Sequence, residues 1–337
     1  MNASNQPQIE SPWPHRLAVA LAVAIFPLIW VGGLVTTYDA GMAVPDWPTT
    51  YGYNMFLYPW QTWLFGPWDL FIEHGHRLFA SLVGLLTIAL AVAIYRRDER
   101  NWVRHLGLAA VVMVIFQGVL GGMRVILDAR LLAQIHGCVG PAFFALAAAL
   151  AVFTSRRWRE IDERTNTLDR GVFRLALVTT LLAYAQLVLG SQVRHVSLQS
   201  DTTVFRAAVL LHLFGAALVT IHVLMLAARA GSRGRGDAWL VVPARLLAAL
   251  VAAQVALGCG AWVVNYGWPS WLSDYRWAAG YVVARESAMQ AIVTTAHVAI
   301  GSLILAVSLV IALRSWRLSA RPFRGEVVRK LTWETAR

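Results

Sequence analysis

The chain has 337 residues, 58% of them hydrophobic and only 14% charged, with a mean hydropathy of +0.56 and a formal net charge of +11. A soluble globular chain is nearer a quarter charged, so this composition excludes one. The basic excess does not point to nucleic acid, because the cations are gathered in alternate connections between apolar blocks of the length that crosses a bilayer.

Eight membrane spans are predicted, at about 16–38, 72–95, 105–123, 131–153, 171–192, 206–228, 243–264 and 289–313. The first is long and lacks a clear small-residue cleavage site, so it is expected to be a retained helix rather than a signal peptide. One set of connections, with Arg16 and the tail from Arg314, carries 22 of the 29 Lys and Arg. The other set, 39–71, 124–130, 193–205 and 265–288, is rich in Trp and Pro and holds 5 of the remaining 7, Arg77 and Arg206 lying near the starts of spans. The positive-inside rule therefore predicts both termini in the cytoplasm, with some attraction for anionic membrane lipid on that side. The 15 Trp lie largely near span ends, as interfacial anchors do. Cys138 and Cys259 both fall in or beside spans, which supports neither a disulfide framework nor a zinc site.

A repeat runs through the odd spans. The third ends QGVLGGMR (Gln117–Arg124), the fifth QLVLGSQVR (Gln186–Arg194) and the seventh QVALGCGAW (Gln254–Trp262). The first ends more loosely, LIWVGGLVTT (Leu28–Thr37). The glycines read as small residues that let membrane helices pack closely. After each ending come an outer loop and a span with a histidine near its start: His76, His136, His212 and His297. The expected fold is an all-α integral membrane protein, its eight transmembrane helices forming two pseudo-symmetric four-helix bundles, 1–158 and 159–337.

Nine histidines occur in the chain. His15 and His105 sit at basic span ends, and His222, mid-span, reads as a hydrogen-bonded packing residue. Four histidines at matched depth on the even spans call for a function, because ionisable groups in a bilayer usually face the bundle interior. Facing pairs of imidazoles suit two haem sites; a proton-coupled transporter and a zinc or copper site are the competing readings. Glu73, His74, His76 and Arg77 open the second span. Glu73 and His76 share a helix face, whereas His74 is turned away, so His76 is the expected site residue. Arg77, one turn from Glu73, offers an alternative in which the two form a structural ion pair.

The EHGHR run at the start of span 2 resembles the E-x-x-H-R element of the haem A synthase family. The GLVTTYDAGMAVPDWP run after span 1 resembles that family's first outer loop, and the four-histidine frame over eight spans matches as well. The resemblance covers nearly the whole chain. It implies an oxidoreductase of haem A biosynthesis that converts the C8 methyl of haem O to a formyl group through a hydroxymethyl intermediate, for cytochrome oxidase assembly. It implies that His76 and His136 face the substrate haem O, that His212 and His297 ligate a haem b cofactor through iron, and that Glu73 is the essential carboxylate. Haem O synthase and an electron donor are the implied partners, and a bacterial-type inner membrane is the implied location. The chain departs from many bacterial members in having no Cys between Asp39 and Leu70. Haem propionates are anionic, so Arg124, Arg130 and Arg194, on the otherwise base-poor outer side, are candidate partners. A di-haem cytochrome b that only carries electrons would share the four histidines. A haem transporter or assembly factor without catalysis is a third reading.

Overall fold

The computed structural model describes residues 11–161, 168–196, 201–233 and 237–319. The basic tail 320–337, which enters the topology argument, lies outside the described residues. In chain order the helices are α1 (Trp13–Thr37), α2 (Trp60–Leu64), α3 (Trp68–Arg97), α4 (Asn101–Ile126), α5 (Arg130–Thr154), α6 (Arg156–Glu160), α7 (Arg170–His195), α8 (Thr202–Arg233), α9 (Ala238–Tyr266), α10 (Arg276–Ala279) and α11 (Ala288–Ser319). Among the described residues there is no strand, and eight helices are long and apolar enough to span a membrane. A backbone in hydrocarbon must satisfy its own polar groups, and the helix does so within one segment.

The eight long helices coincide with the predicted spans but run further. Helix α3 begins at Trp68 rather than near 72, and α11 continues to Ser319 rather than ending near 313. Hydropathy marks only the hydrocarbon-crossing part of a helix; hydrogen bonding carries it into the interface. The short helices α2, α6 and α10 were not predicted, since a single turn has no periodicity to detect.

In the amino-terminal half α1 packs on α3 and α5, and α4 packs on α3 and α5. In the carboxy-terminal half α7 packs on α8 and α11, and α9 packs on the same two. The halves meet where α11 packs on α1 and α5, and α5 on α7. Helices α5 and α11 are accordingly the central ones: 56% and 50% of their apolar windows are buried, against 17–33% for the other six. Each lends a residue to the opposite core, Ala145 of α5 to the carboxy-terminal cluster and Ala306 of α11 to the amino-terminal one. The outward faces carry exposed Leu85, Leu108, Leu181 and Leu213, as lipid-facing surfaces do. This packing is compatible with two four-helix bundles.

The two ends of the bundle differ in chemistry. At the basic end, Asp98 is buried and paired with Arg100 (2.7 Å) and Arg159 (3.2 Å). Burial pushes its carboxyl up, but the Arg100 hydrogen bonds and the two cations outweigh this and hold it below the usual range. All four repeat histidines lie toward the other end.

Candidate functional site

The histidines meet in two pairs. His76 of α3 faces His136 of α5 with ring centroids 6.4 Å apart, and His212 of α8 faces His297 of α11 at 6.3 Å. The ring planes are inclined by 78° and 72°. An imidazole nitrogen lies roughly 2.0–2.1 Å from a bound metal ion and its ring centre about 1.1 Å behind that, so rings clamping one ion from opposite faces stand about 6 Å apart. Both pairs have that spacing. Among the described residues no group of three or more His, Cys, Asp or Glu is placed to hold a metal ion, so the frame offers paired ligands rather than a zinc-type cluster. Two of the other histidines are hydrogen-bonded elsewhere: His222 Nδ1 contacts the Leu218 carbonyl at 2.8 Å, and His15 Nδ1 the Ala151 carbonyl at 3.0 Å.

Each paired ring rests on a glycine of the preceding long helix. A Cβ placed on Gly32, Gly121, Gly190 or Gly258 would lie 3.0, 3.2, 3.0 or 3.1 Å from Cε1 of His76, His136, His212 or His297 respectively. The glycines that read as general packing residues are thus the seats of the four imidazoles. The signal was available in the repeat, since each stands at the same place in its motif, but no sequence argument says which side chain a glycine faces. Nδ1 of His76, His136 and His297 is buried without a hydrogen-bond partner. Buried ring nitrogens left without a partner do not fit a finished packing arrangement.

The EHGHR cluster divides between two tasks. Glu73 is 1% exposed and accepts the Val44 amide at 2.8 Å through Oε2, while Oε1 accepts Arg77 Nη2 at 2.9 Å. Arg77 also donates to the carbonyls of Val44 (2.8 Å), Asp46 (2.7 Å) and Thr49 (3.1 Å). His74 is buried, shares a hydrogen bond with Thr50 Oγ1 at 3.1 Å, and packs on Tyr58 and Trp63. So Glu73, His74 and Arg77 bind the first outer loop, and His76 alone turns to the partner histidine. The Glu73–Arg77 ion pair exists, but as one part of a loop clamp. Across the loop, Trp47 lies flat on Gly122 of α4, where a Cβ would come within 2.2 Å of the indole. Gly41 sits against Arg124, with a Cβ there 2.5 Å from Nη1. The loop is therefore pinned both to α3, which carries His76, and to α4, which carries the Gly121 seat of His136.

The three outer arginines have separate fates. Arg124 is half-buried and donates no hydrogen bond among the described residues. Arg130 is exposed. Arg194 crosses between halves: its Nη2 donates to Thr37 Oγ1 (2.7 Å) and to the Gly33 carbonyl (3.1 Å) of α1. A Cβ on Gly33 would lie 2.8 Å from Thr295 Cγ2 of α11, so α1 and α11 are also in close contact here. The Arg194 contact was invisible in the sequence because it joins residues 157 and 161 positions apart.

Residues 67–275 match the family model described as cytochrome oxidase assembly protein (COX15-CtaA). The chain belongs to this family. Among similar curated proteins, one named Heme A synthase from Shouchella clausii is 26% identical over 261 residues, covering 72% of this chain and 84% of that protein. Another of that name from Symbiobacterium thermophilum is 28% identical over 268 residues, covering 70% and 81%. A third, from Chelativorans sp., is 31% identical over 163 residues, covering 46% and 42%. The span matched by the cytochrome oxidase assembly model holds His76, His136 and His212 but ends before His297, whose place opposite His212 comes from the geometry.

Proposed function

We propose that this multi-pass membrane protein is a haem A synthase, an oxidoreductase that converts the C8 methyl of haem O to a formyl group through a hydroxymethyl intermediate. The observation that carries the proposal is the pair of facing histidine pairs at 6.4 and 6.3 Å in a chain of this family. In this reading residues 1–158 receive the substrate haem O between His76 and His136, and residues 159–337 hold a resident haem b between His212 and His297. The haem b would supply one-electron redox chemistry.

The chain's own residues have definable tasks. The Gly32 and Gly121 seats orient the two substrate-facing imidazoles. The loop clamped by Glu73, His74 and Arg77 would close over that pair when the substrate is bound, and the exclusion of water would strengthen electrostatic effects inside. Glu73 is the proposed carboxylate of the reaction: Arg77 and the Val44 amide hold it in one orientation, where it would stabilise positive charge developing on the substrate carbon or accept a proton. Arg124, with no hydrogen bond of its own among the described residues, is the proposed propionate partner on the amino-terminal side. Arg194 has spent one nitrogen on α1 and would bind a propionate with what remains. A bacterial inner membrane with cytoplasmic termini, a haem O synthase as substrate source, a separate electron donor, and an oxidant that takes up the four electrons released between methyl and formyl, with dioxygen or water supplying the formyl oxygen, complete the reading.

The di-haem electron carrier remains the second reading, and one observation favours it: both Glu73 oxygens already have protein partners. Extraction of haems from cells expressing the chain together with a haem O synthase separates the two. A formylated haem or its hydroxymethyl precursor supports the synthase. Unchanged haem O, with both haems retained by the purified protein, overturns it.

A further inference from the structure

Three of the four histidine seats share a second part. Gln117, Gln186 and Gln254 each stand one turn before the seat glycine, four residues ahead of Gly121, Gly190 and Gly258. Each amide reaches the histidine residue of the next long helix. Gln117 Nε2 donates to the His136 carbonyl at 3.2 Å, and Gln186 Nε2 to the His212 carbonyl at 2.8 Å. Gln186 Nε2 also lies 3.0 Å from His212 Nδ1, and Gln254 Nε2 lies 3.5 Å from His297 Nε2.

The contact is reciprocal. A Cβ on Gly140, Gly215 or Gly301, one turn beyond the histidine, would meet the same glutamine at 3.3, 2.2 or 3.2 Å. Each helix pair thus interlocks twice, histidine over one glycine and glutamine over the other. The Oε1 atoms of all three glutamines are buried without a partner, so each amide has an acceptor in reserve for an imidazole N–H.

The first pair breaks the pattern. Leu28 stands four residues ahead of Gly32, and Ala80 four beyond His76. Leucine offers no amide to reach the His76 residue, so His76 lacks the contact that Gln117, Gln186 and Gln254 make to the other three. His76 depends instead on its helix being tied to the outer loop through Glu73, His74 and Arg77.

We infer that Gln117, Gln186 and Gln254 are positioning residues that lock three of the four axial histidines, and that Leu28 leaves His76 as the one loosely held ligand, so that the amino-terminal haem is exchangeable while the carboxy-terminal haem is permanent. This rests on the reading that the amino-terminal half takes the substrate haem. An enzyme whose substrate is a haem must release what its cofactor site must keep. One polar-to-apolar difference at equivalent places would set the two sites apart without changing either ligand pair.

The test is haem release from the purified full-length protein to excess apomyoglobin, followed by absorbance. Wild-type release should be biphasic, with the fast phase missing in His76→Ala. Leu28→Gln should slow the fast phase by about tenfold, the effect of one added hydrogen bond. Gln186→Leu should quicken the slow phase by a similar factor. Equal release from both halves in the wild type, or a fast phase unchanged in Leu28→Gln, overturns the inference. Should Leu28→Gln fail to accumulate, Gln186→Leu and Gln254→Leu decide it: a slow phase unchanged in both refutes the clasp. If the rates move as expected but no formylated haem is ever extracted, the clasp stands and the synthase reading falls.

Discussion

Replacing Gly190 with alanine separates the seat function of the repeat glycines from simple helix packing. The new Cβ would lie 3.0 Å from His212 Cε1, closer than ordinary carbon contacts, so the ring must retreat by a few tenths of an ångström. It has little freedom to do so, because the Gln186 amide holds the His212 carbonyl at 2.8 Å and lies 3.0 Å from its Nδ1. Any retreat alters the 6.3 Å spacing to His297. Overpacking costs about 1–3 kcal/mol, while alanine in a helix interior gains about 1 kcal/mol over glycine, so the net loss of stability should stay below about 2 kcal/mol. Haem retention should suffer more than folding does. The assay is the pyridine haemochrome content per protein, read beside the thermal melting midpoint of the same preparation. A haem content down severalfold with a melting shift of a few degrees is expected. Full haem content with an unchanged low-spin spectrum would refute the seat, and leave Gly190 as a packing residue.

Other outcomes follow from the same geometry. In Glu73→Gln one of the two contacts, to Val44 N or to Arg77, meets a donor instead of an acceptor, at a cost of about 1–3 kcal/mol; haem b content should survive while conversion of haem O falls sharply, and normal turnover per bound haem b would end the catalytic role of Glu73. Asp46 accepts the Tyr51 and Gly52 amides at 2.8 Å each; burial pushes its carboxyl up, but these bonds prevail and hold it below its ordinary 3.8. A carboxyl with a depressed folded value stabilises the loop above the ordinary value and stops doing so as pH falls through the folded one, so protease nicking of the 43–52 loop should stay level from about pH 8 to about pH 5 and rise only below about pH 4. Nicking that rises already near neutrality would contradict this. A reporter fused after Arg337 should be active only on the cytoplasmic side, following the 22-to-7 division of basic residues; activity on the outer side alone would reverse the topology.

The spans were legible because a bilayer imposes a long apolar run on each, and the four histidines because they recur at one depth beside a repeated motif. What the sequence did not show is how the EHGHR cluster is divided. Helical periodicity put Glu73 and His76 on one face, yet Glu73 is drawn to the loop by Val44 and Arg77, partners 29 residues away and one turn away. Local spacing sees the second partner and not the first. The Gln–Gly–His interlock is a similar case: its parts stand in the repeat, but the reciprocal contact appears only when two helices are placed side by side. Arg194 was assigned to the outer rim by position, and its bond to α1 depends on how the halves meet.

Magnetic circular dichroism or low-temperature electron paramagnetic resonance of the oxidised, purified protein tests the central claim most directly, because it reads the axial ligands of whatever haem is bound. Once the exchangeable haem has been drawn off with excess apomyoglobin, the account predicts a low-spin bis-imidazole signal from the retained haem that is lost in His212→Ala and in His297→Ala, and kept in His222→Ala. A signal that survives both of the first two substitutions, or that disappears in His222→Ala, would contradict it.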